Sequence, residues 1–215
     1  MYKRQEYNTL AVCDSEYLDL LFPELPSPIH TLEIWMDFDD FDLNSVLLGL
    51  PSSIKRISIP RDENEESISP NILKNVADGC RLDFLESFSL PYETADMLGC
   101  ERTLATLEML PRLKEISIQL KNKTSFELLS CIFKSSLLAE RMSSLCITSF
   151  NNTCDDILKV HYSDNVIEQQ CHKFHLRSLV LRDLPNQMTN SILSILPDKN
   201  LRYLEVRRWY VAFSL

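Results

Sequence analysis

Glycine is nearly missing from this chain, with only Gly49, Gly79 and Gly99 in 215 residues. That scarcity argues against glycine-rich phosphate loops and against the two-residue hairpin turns that join antiparallel strands. Long apolar runs are missing as well. No stretch reaches the roughly 18 residues a membrane-spanning helix needs, and Met1-Tyr2-Lys3-Arg4-Gln5-Glu6 has no apolar signal core. Basic residues are outnumbered, 22 Lys and Arg against 31 Asp and Glu, for a net charge of −9. A general nucleic-acid binder needs a cationic face to displace phosphate counterions, so that class is disfavoured. The seven cysteines, Cys13, Cys80, Cys100, Cys131, Cys146, Cys154 and Cys171, are odd in number and irregularly spaced. A secreted disulfide scaffold would be denser and even-numbered, so reduced thiols and a cytoplasmic or nuclear location are expected.

What is abundant is one short apolar pattern, Leu/Ile-x-x-Leu-x-Leu, recurring at intervals of 25 to 34 residues. Its copies are Ile29-Leu32-Ile34, Ile54-Ile57-Ile59, Leu85-Phe88-Leu90, Leu113-Ile116-Ile118, Met142-Leu145-Ile147, Leu176-Leu179-Leu181 and Leu201-Leu204-Val206. A degenerate eighth copy opens the chain at Tyr7-Leu10-Val12. The trio by itself is weak, because roughly eight would arise by chance in so apolar a sequence. Two do fall out of register, at Leu43-Val46-Leu48 and Leu104-Leu107-Met109. The surroundings carry the argument. Most copies are followed by a polar break, a helical stretch and then a proline turn: Leu25-Pro26, Leu50-Pro51, Leu110-Pro111, Leu196-Pro197. Proline there stops the helix and sets an extended exit.

The helical stretches have recognisable faces and starts. Leu43, Val46, Leu47 and Leu50 fall on one helix face, and Ser69-Pro70 is a good cap before Leu73, Val76 and Ala77. Thr124 with Glu127 reads as a capping box ahead of Phe126, Leu129, Phe133 and Leu137. Thr189 reads as the cap of a helix carrying Ile192, Leu193 and Leu196. A crossover of this length joins parallel strands. The strands themselves alternate, as in Lys55-Arg56-Ile57-Ser58-Ile59, so one face of the sheet is wet. A doubly wound α/β domain, the rival fold, would favour continuous apolar strands.

The expected architecture is therefore α/β, a solenoid in which no unit buries its own apolar face until its neighbours stack on it. Over nearly its whole length the chain resembles leucine-rich repeat proteins. The stretch from Leu176 to Leu193 is similar to the repeats common in F-box proteins, with Met188-Thr189-Asn190 where their helix start belongs. A looser copy runs from Leu145 to Leu158. The resemblance implies a horseshoe of about seven to eight repeats, with parallel strands on the concave face and helices on the convex face. Residues 1–28 form a degenerate first repeat, 29–206 the seven repeats, and 207–215 a tail or cap, all within one domain. The family's Asn/Cys ladder position holds Asp37, Asp62, Glu93, Lys121, Phe150, Leu184 and Trp209, so the turns must be held by other groups. Uncapped ends lead us to expect part of a longer chain.

Functionally the pattern points to a non-enzymatic protein-protein interaction module. The F-box resemblance implies the substrate-receptor part of a ubiquitin ligase, with a Skp1-like adaptor as a further partner in a form carrying an F-box. A structural subunit that assembles through its solenoid ends is the alternative, and a divergent α/β enzyme ranks last. No cofactor, nucleic acid or membrane partner is expected. Outward-facing strand positions form three columns, the middle one mostly serine. The residues most suited to contact a partner are Trp35, Glu115, Gln119, Arg182, Tyr203, Glu205 and Arg207, because Trp, Tyr and Arg dominate binding hot spots. Asp37, Asp39, Asp40 and Asp42 lack the glycine and terminal glutamate of a calcium loop and read as a solvated turn. Cys154, His161, Cys171, His172 and His175 match no zinc-finger spacing, so buried cysteines and surface histidines are expected there.

Overall fold

The computed structural model describes residues 9–12, 29–34, 50, 53–58, 82–90, 96, 98–149, 174–195 and 200–207. Within them the chain is an α/β protein built on an all-parallel sheet. Eight strands follow in chain order: β1 Thr9–Val12, β2 Thr31–Ile34, β3 Arg56–Ser58, β4 Ser87–Leu90, β5 Glu115–Leu120, β6 Ser144–Ser149, β7 Ser178–Arg182 and β8 Tyr203–Arg207. Spatial order equals chain order, and each of β1 and β8 pairs with one neighbour. The order never reverses, so the switch point that defines a doubly wound sheet does not occur among these strands. The middle residue of each of the eight copies (Leu10, Leu32, Ile57, Phe88, Ile116, Leu145, Leu179, Leu204) lies in a strand.

Register is the same from strand to strand. Ile116 pairs with Leu145, Leu145 with Leu179, and Leu179 with Leu204, so like positions of the pattern stand side by side. A backbone motif at the strand entrance sets this alignment. The carbonyl of the residue before each strand accepts two consecutive N–H groups of the next one. His30 takes Lys55 and Arg56, Lys55 takes Glu86 and Ser87, and Glu86 takes Lys114 and Glu115, at 2.7 to 3.0 Å. Lys114 takes Ser143 and Ser144, Ser143 takes Arg177 and Ser178, and Arg177 takes Arg202 and Tyr203, at 2.8 to 3.1 Å.

Alternate strand residues are buried and half-exposed, most regularly in β5 and β6. The buried set (Leu32, Ile57, Phe88, Ile116, Ile118, Leu145, Ile147, Leu179, Leu181) forms one face of the sheet and shares one core with the described helices. Four helices are described: α1 Cys100–Met109, α2 Lys123–Lys134, α3 Ser136–Arg141 and α4 Asn186–Ile195. Leu107, Phe126, Leu128, Leu129, Ile132, Phe133, Leu138, Ala139, Met188 and Ile192 are their contribution to the core. Burying each such side chain contributes about 2 kcal/mol. Phe133 and Phe174, 0% and 1% exposed, meet edge to face with ring centroids 5.5 Å apart at 81°.

The helix boundaries differ from expectation in ways the local chemistry explains. Asn122 caps α2, not Thr124, two residues further on. Asn122 Oδ1 accepts from the Ser125 N–H at 2.9 Å, and Ser125 Oγ accepts from the Asn122 N–H at 3.2 Å. Asn is the stronger cap, and the reciprocal pair satisfies two donors at once. Leu137 leaves the expected apolar face and is exposed, because the chain breaks at Ser135 and starts α3 afresh, capped by the Ser135 hydroxyl. Thr189 lies inside α4 and donates its hydroxyl to the Pro185 carbonyl at 3.0 Å. The out-of-register trio Leu104-Leu107-Met109 is helical, within α1. The expected helices of residues 43–50 and 69–77 lie outside the described residues except for buried Leu50, as does the tail after Arg207.

Arg141 ties α3 to the end of α1. Its guanidinium donates from Nη1 to the Leu110 carbonyl at 2.9 Å and from Nη2 to the Glu108 carbonyl at 3.0 Å. The Leu110 carbonyl also accepts the Leu113 N–H at 3.2 Å, and both carbonyls lie at the end of α1, where intrahelical donors run out. Ser135 Oγ adds a 2.6 Å bond to Glu108 Oε1.

Phe133→Ala is expected to lower the unfolding free energy in urea by about 4 kcal/mol, with a smaller loss for Arg141→Ala of about 1–3 kcal/mol. Leu137→Ala on the exposed face is the reference. Equal losses for Phe133→Ala and Leu137→Ala would contradict this packing.

Candidate functional site

The face of the sheet opposite the helices holds the three columns of outward residues, and strand pairing places them side by side. The first column runs Thr31, Arg56, Ser87, Glu115, Ser144, Ser178, Tyr203. The second holds Glu33 and Ser58, then Ser89, Ser117, Cys146, Val180 and Glu205, all half-exposed. The third runs Gln119, Thr148, Arg182, Arg207. Short side chains in the middle let long ones reach across. Arg56 Nη2 spans over Ser87 to both carboxylate oxygens of Glu115 at 3.2 Å, two strands away.

At the β7–β8 end the polar residues converge. Arg182 Nε donates to Glu205 Oε1 at 3.0 Å, and the Tyr203 hydroxyl donates to Glu205 Oε2 at 2.7 Å. Both hydrogen bonds favour the ionised carboxylate, Tyr203's first, so the Glu205 pKa is lowered. The same contact pushes the Tyr203 phenol above its ordinary value, because an anion beside it resists a second negative charge. Arg207 stands in register with Arg182 and adds its field to Glu205. Tyr203, Leu204 and Val206 of this edge strand are 52%, 48% and 47% exposed.

Arg182, Tyr203, Glu205 and Arg207 are therefore brought together as expected. Glu115 and Gln119 lie on β5 instead, Gln119 in the same column as Arg182 with Thr148 between them. Glu115 is engaged by Arg56 within the chain. Gln119 Oε1 is sheltered from solvent and accepts no hydrogen bond from the described residues. Trp35 lies outside the described residues, as do Asp37 to Asp42.

Sequence columns overlooked one further row, the position just before each strand: His30, Lys55, Glu86, Lys114, Ser143, Arg177, Arg202. It forms a charged rim at the strand entrances. Glu86 sits between Lys55 at 3.2 Å and Lys114 at 3.4 Å, and these cations, Lys55 first, lower its pKa. Arg177 and Arg202 continue the row, exposed. The signal was available, because this position recurs with the same period as the leucines.

Among the described residues no group of three or more His, Cys, Asp or Glu is placed to hold a metal ion. Cys154, His161, Cys171 and His172 of the expected histidine–cysteine stretch lie outside them. His175 is exposed and pairs through Nδ1 with Asn200 Nδ2 at 2.9 Å. Cys100, Cys131 and Cys146 are free thiols. Burial, together with nearby Cys131, Glu127 and Asp96, pushes the Cys100 thiol up to about 11. A thiol so shifted is a poor nucleophile at neutral pH. No described helix is long and apolar enough to cross a membrane. Comparison with protein-family models, curated proteins and solved structures gives no significant match.

Two outcomes check this electrostatic picture. Tyr203→Phe removes a donor to the charged form, so the Glu205 pKa should rise toward the ordinary carboxylate value in a carbon-detected NMR titration. An unchanged titration would mean the hydroxyl does not hold Glu205. By peptide-resolved mass spectrometry, alkylation of Cys100 by iodoacetamide should keep accelerating up to about pH 11. A plateau near pH 9 would contradict the buried setting.

Proposed function

We propose that this chain is a non-enzymatic protein-protein interaction module, a divergent leucine-rich repeat solenoid that binds its partner on the polar face of the sheet. The observation that carries the reading is the unbroken parallel sheet with one face under helices and the other lined by columns of short polar side chains. Such a face admits a partner's backbone closely, while the arginines and tyrosine at the β7–β8 end supply anchoring groups. Its resemblance to F-box-type repeats extends the proposal to substrate recognition in a ubiquitin ligase, an analogy of fold alone. A cytoplasmic or nuclear setting goes with that role.

A second reading has its own support. Leu204 and Val206, whose counterparts in the preceding strands are buried, are half-exposed on β8. A structural subunit that docks edge to edge with another protein would cover them.

Affinity purification from the native cell with quantitative mass spectrometry separates the two. Arg182→Glu with Arg207→Glu is expected to lose the partner bound on the sheet face, whereas Leu204→Asp should leave it bound. Capture unchanged by the arginine pair and abolished by Leu204→Asp would replace the face-binding reading with the subunit reading.

A further inference from the structure

The carbonyls of His30, Lys55, Glu86, Lys114, Ser143 and Arg177 each accept two N–H groups of the next strand. Arg202 is the next member of that row, and its carbonyl accepts none from the described residues. β8, which Arg202 leads into, pairs with β7 alone among the described strands. Its core-side residues lack a cover: Leu204 and Val206 are 48% and 47% exposed, where Leu179 and Leu181 in register with them are 0% and 1%. The opposite edge of the sheet is β1, which pairs with β2 alone among the described strands. Both edges carry one pattern in one register. Thr9 and Tyr203 end one row of paired residues across the sheet, and Leu10 and Leu204 end the next. Neither edge strand contains proline or lysine, residues that commonly block strand addition.

We infer that copies of this chain join head to tail, β8 of one pairing in parallel with β1 of the next. The inference rests on the edge-docking reading above and names the docked protein as a second copy. In the register of the existing junctions, Thr9 and the residue before it donate their N–H groups to the open Arg202 carbonyl. Tyr203 then faces Thr9, Leu204 faces Leu10, Glu205 faces Ala11 and Val206 faces Val12. Each row gains a matched member, and no two like charges meet. Two-fold pairing of β8 with β8 fits less well. Antiparallel registers that keep the sheet faces aligned set Glu205 against Glu205, or place Val206 opposite Arg202, or Leu204 opposite Arg208. Like charges directly opposite destabilise a sheet, and an arginine is a poor cover for a core side chain. Because the two joined edges differ, each added copy leaves one edge open for another, so the product is a ring or a filament. A junction of four paired residues is small, so association is expected only at about 10 μM to 1 mM.

Sedimentation velocity of the full chain over that concentration range tests this, with Leu204→Asp, Leu10→Asp and an equal mixture of the two variants. Wild type is expected to shift to dimers and longer species as concentration rises. Each variant loses one of the two edges and should associate at least about tenfold more weakly. Their mixture keeps one good junction, from β8 of the Leu10→Asp chain to β1 of the Leu204→Asp chain, and should stop at a dimer. That recovery also shows both variants folded. Where circular dichroism shows that Leu10→Asp loses the fold, Ala11→Glu takes its place. Standing opposite Glu205, it should weaken wild-type association about two- to fivefold. A wild type that stays monomeric throughout overturns the proposal, the edge then being covered by the chain itself or by another protein. So does a Leu10→Asp chain that dimerises as well as wild type, the sign of β8 pairing with β8. A mixture of folded variants that stays monomeric, or an Ala11→Glu chain that associates undiminished, overturns it equally. Monomeric wild type whose capture from cells is abolished by Leu204→Asp would show that the edge-docking reading survives and only the second copy fails.

Discussion

The bond on which the rest of this structure depends is the double acceptance at each strand entrance. One carbonyl takes two consecutive N–H groups of the next strand, and this recurs from His30 to Arg177. It fixes register, and register in a sheet decides which face every side chain occupies. A slip of one residue would turn Ile116, Ile118 and Leu120 outward and bury Glu115, Ser117 and Gln119. The apolar trio reinforces the same choice, since each leucine finds its counterpart on the neighbouring strand. No strand hides these side chains alone, so pairing and burial stand or fall together.

The polar face is a consequence of that arrangement. Once alternate residues are committed to the core, the rest are displayed at a spacing of about 4.8 Å between strands. Serine at Ser87, Ser89, Ser117, Ser144 and Ser178 keeps the display low. Ion pairs such as Arg56–Glu115 can then cross a whole strand, and larger groups stand out at the β7–β8 end. The helical layer answers to a separate set of contacts, with Arg141 closing the carbonyls of α1 and the Asn122–Ser125 pair starting α2.

Strand positions were legible because their signal is local and repeated: an apolar trio, a polar interior, a proline turn and a period. Helix starts were less so. Thr124 and Asn122 are both acceptable caps, and only the geometry of Ser125 decides between them. Leu137 fits the 3.6-residue pattern of α2 but sits beyond the break at Ser135, where a serine hydroxyl serves a second helix better than it continues the first.

The candidate surface divides along the same line. That Arg182, Tyr203, Glu205 and Arg207 share a face follows from the alternation of residues along a strand, a property of the backbone that any reader of the sequence can apply. That Arg182 reaches Glu205 and that Glu115 is already engaged by Arg56 are decided by distances between strands 20 to 60 residues apart in the chain. Sequence by itself determined which side chains the sheet would display, because periodicity along one strand is covalent geometry. Which of them neutralise one another is settled in three dimensions, because hydrogen bonds and ion pairs between strands depend on reach across the sheet.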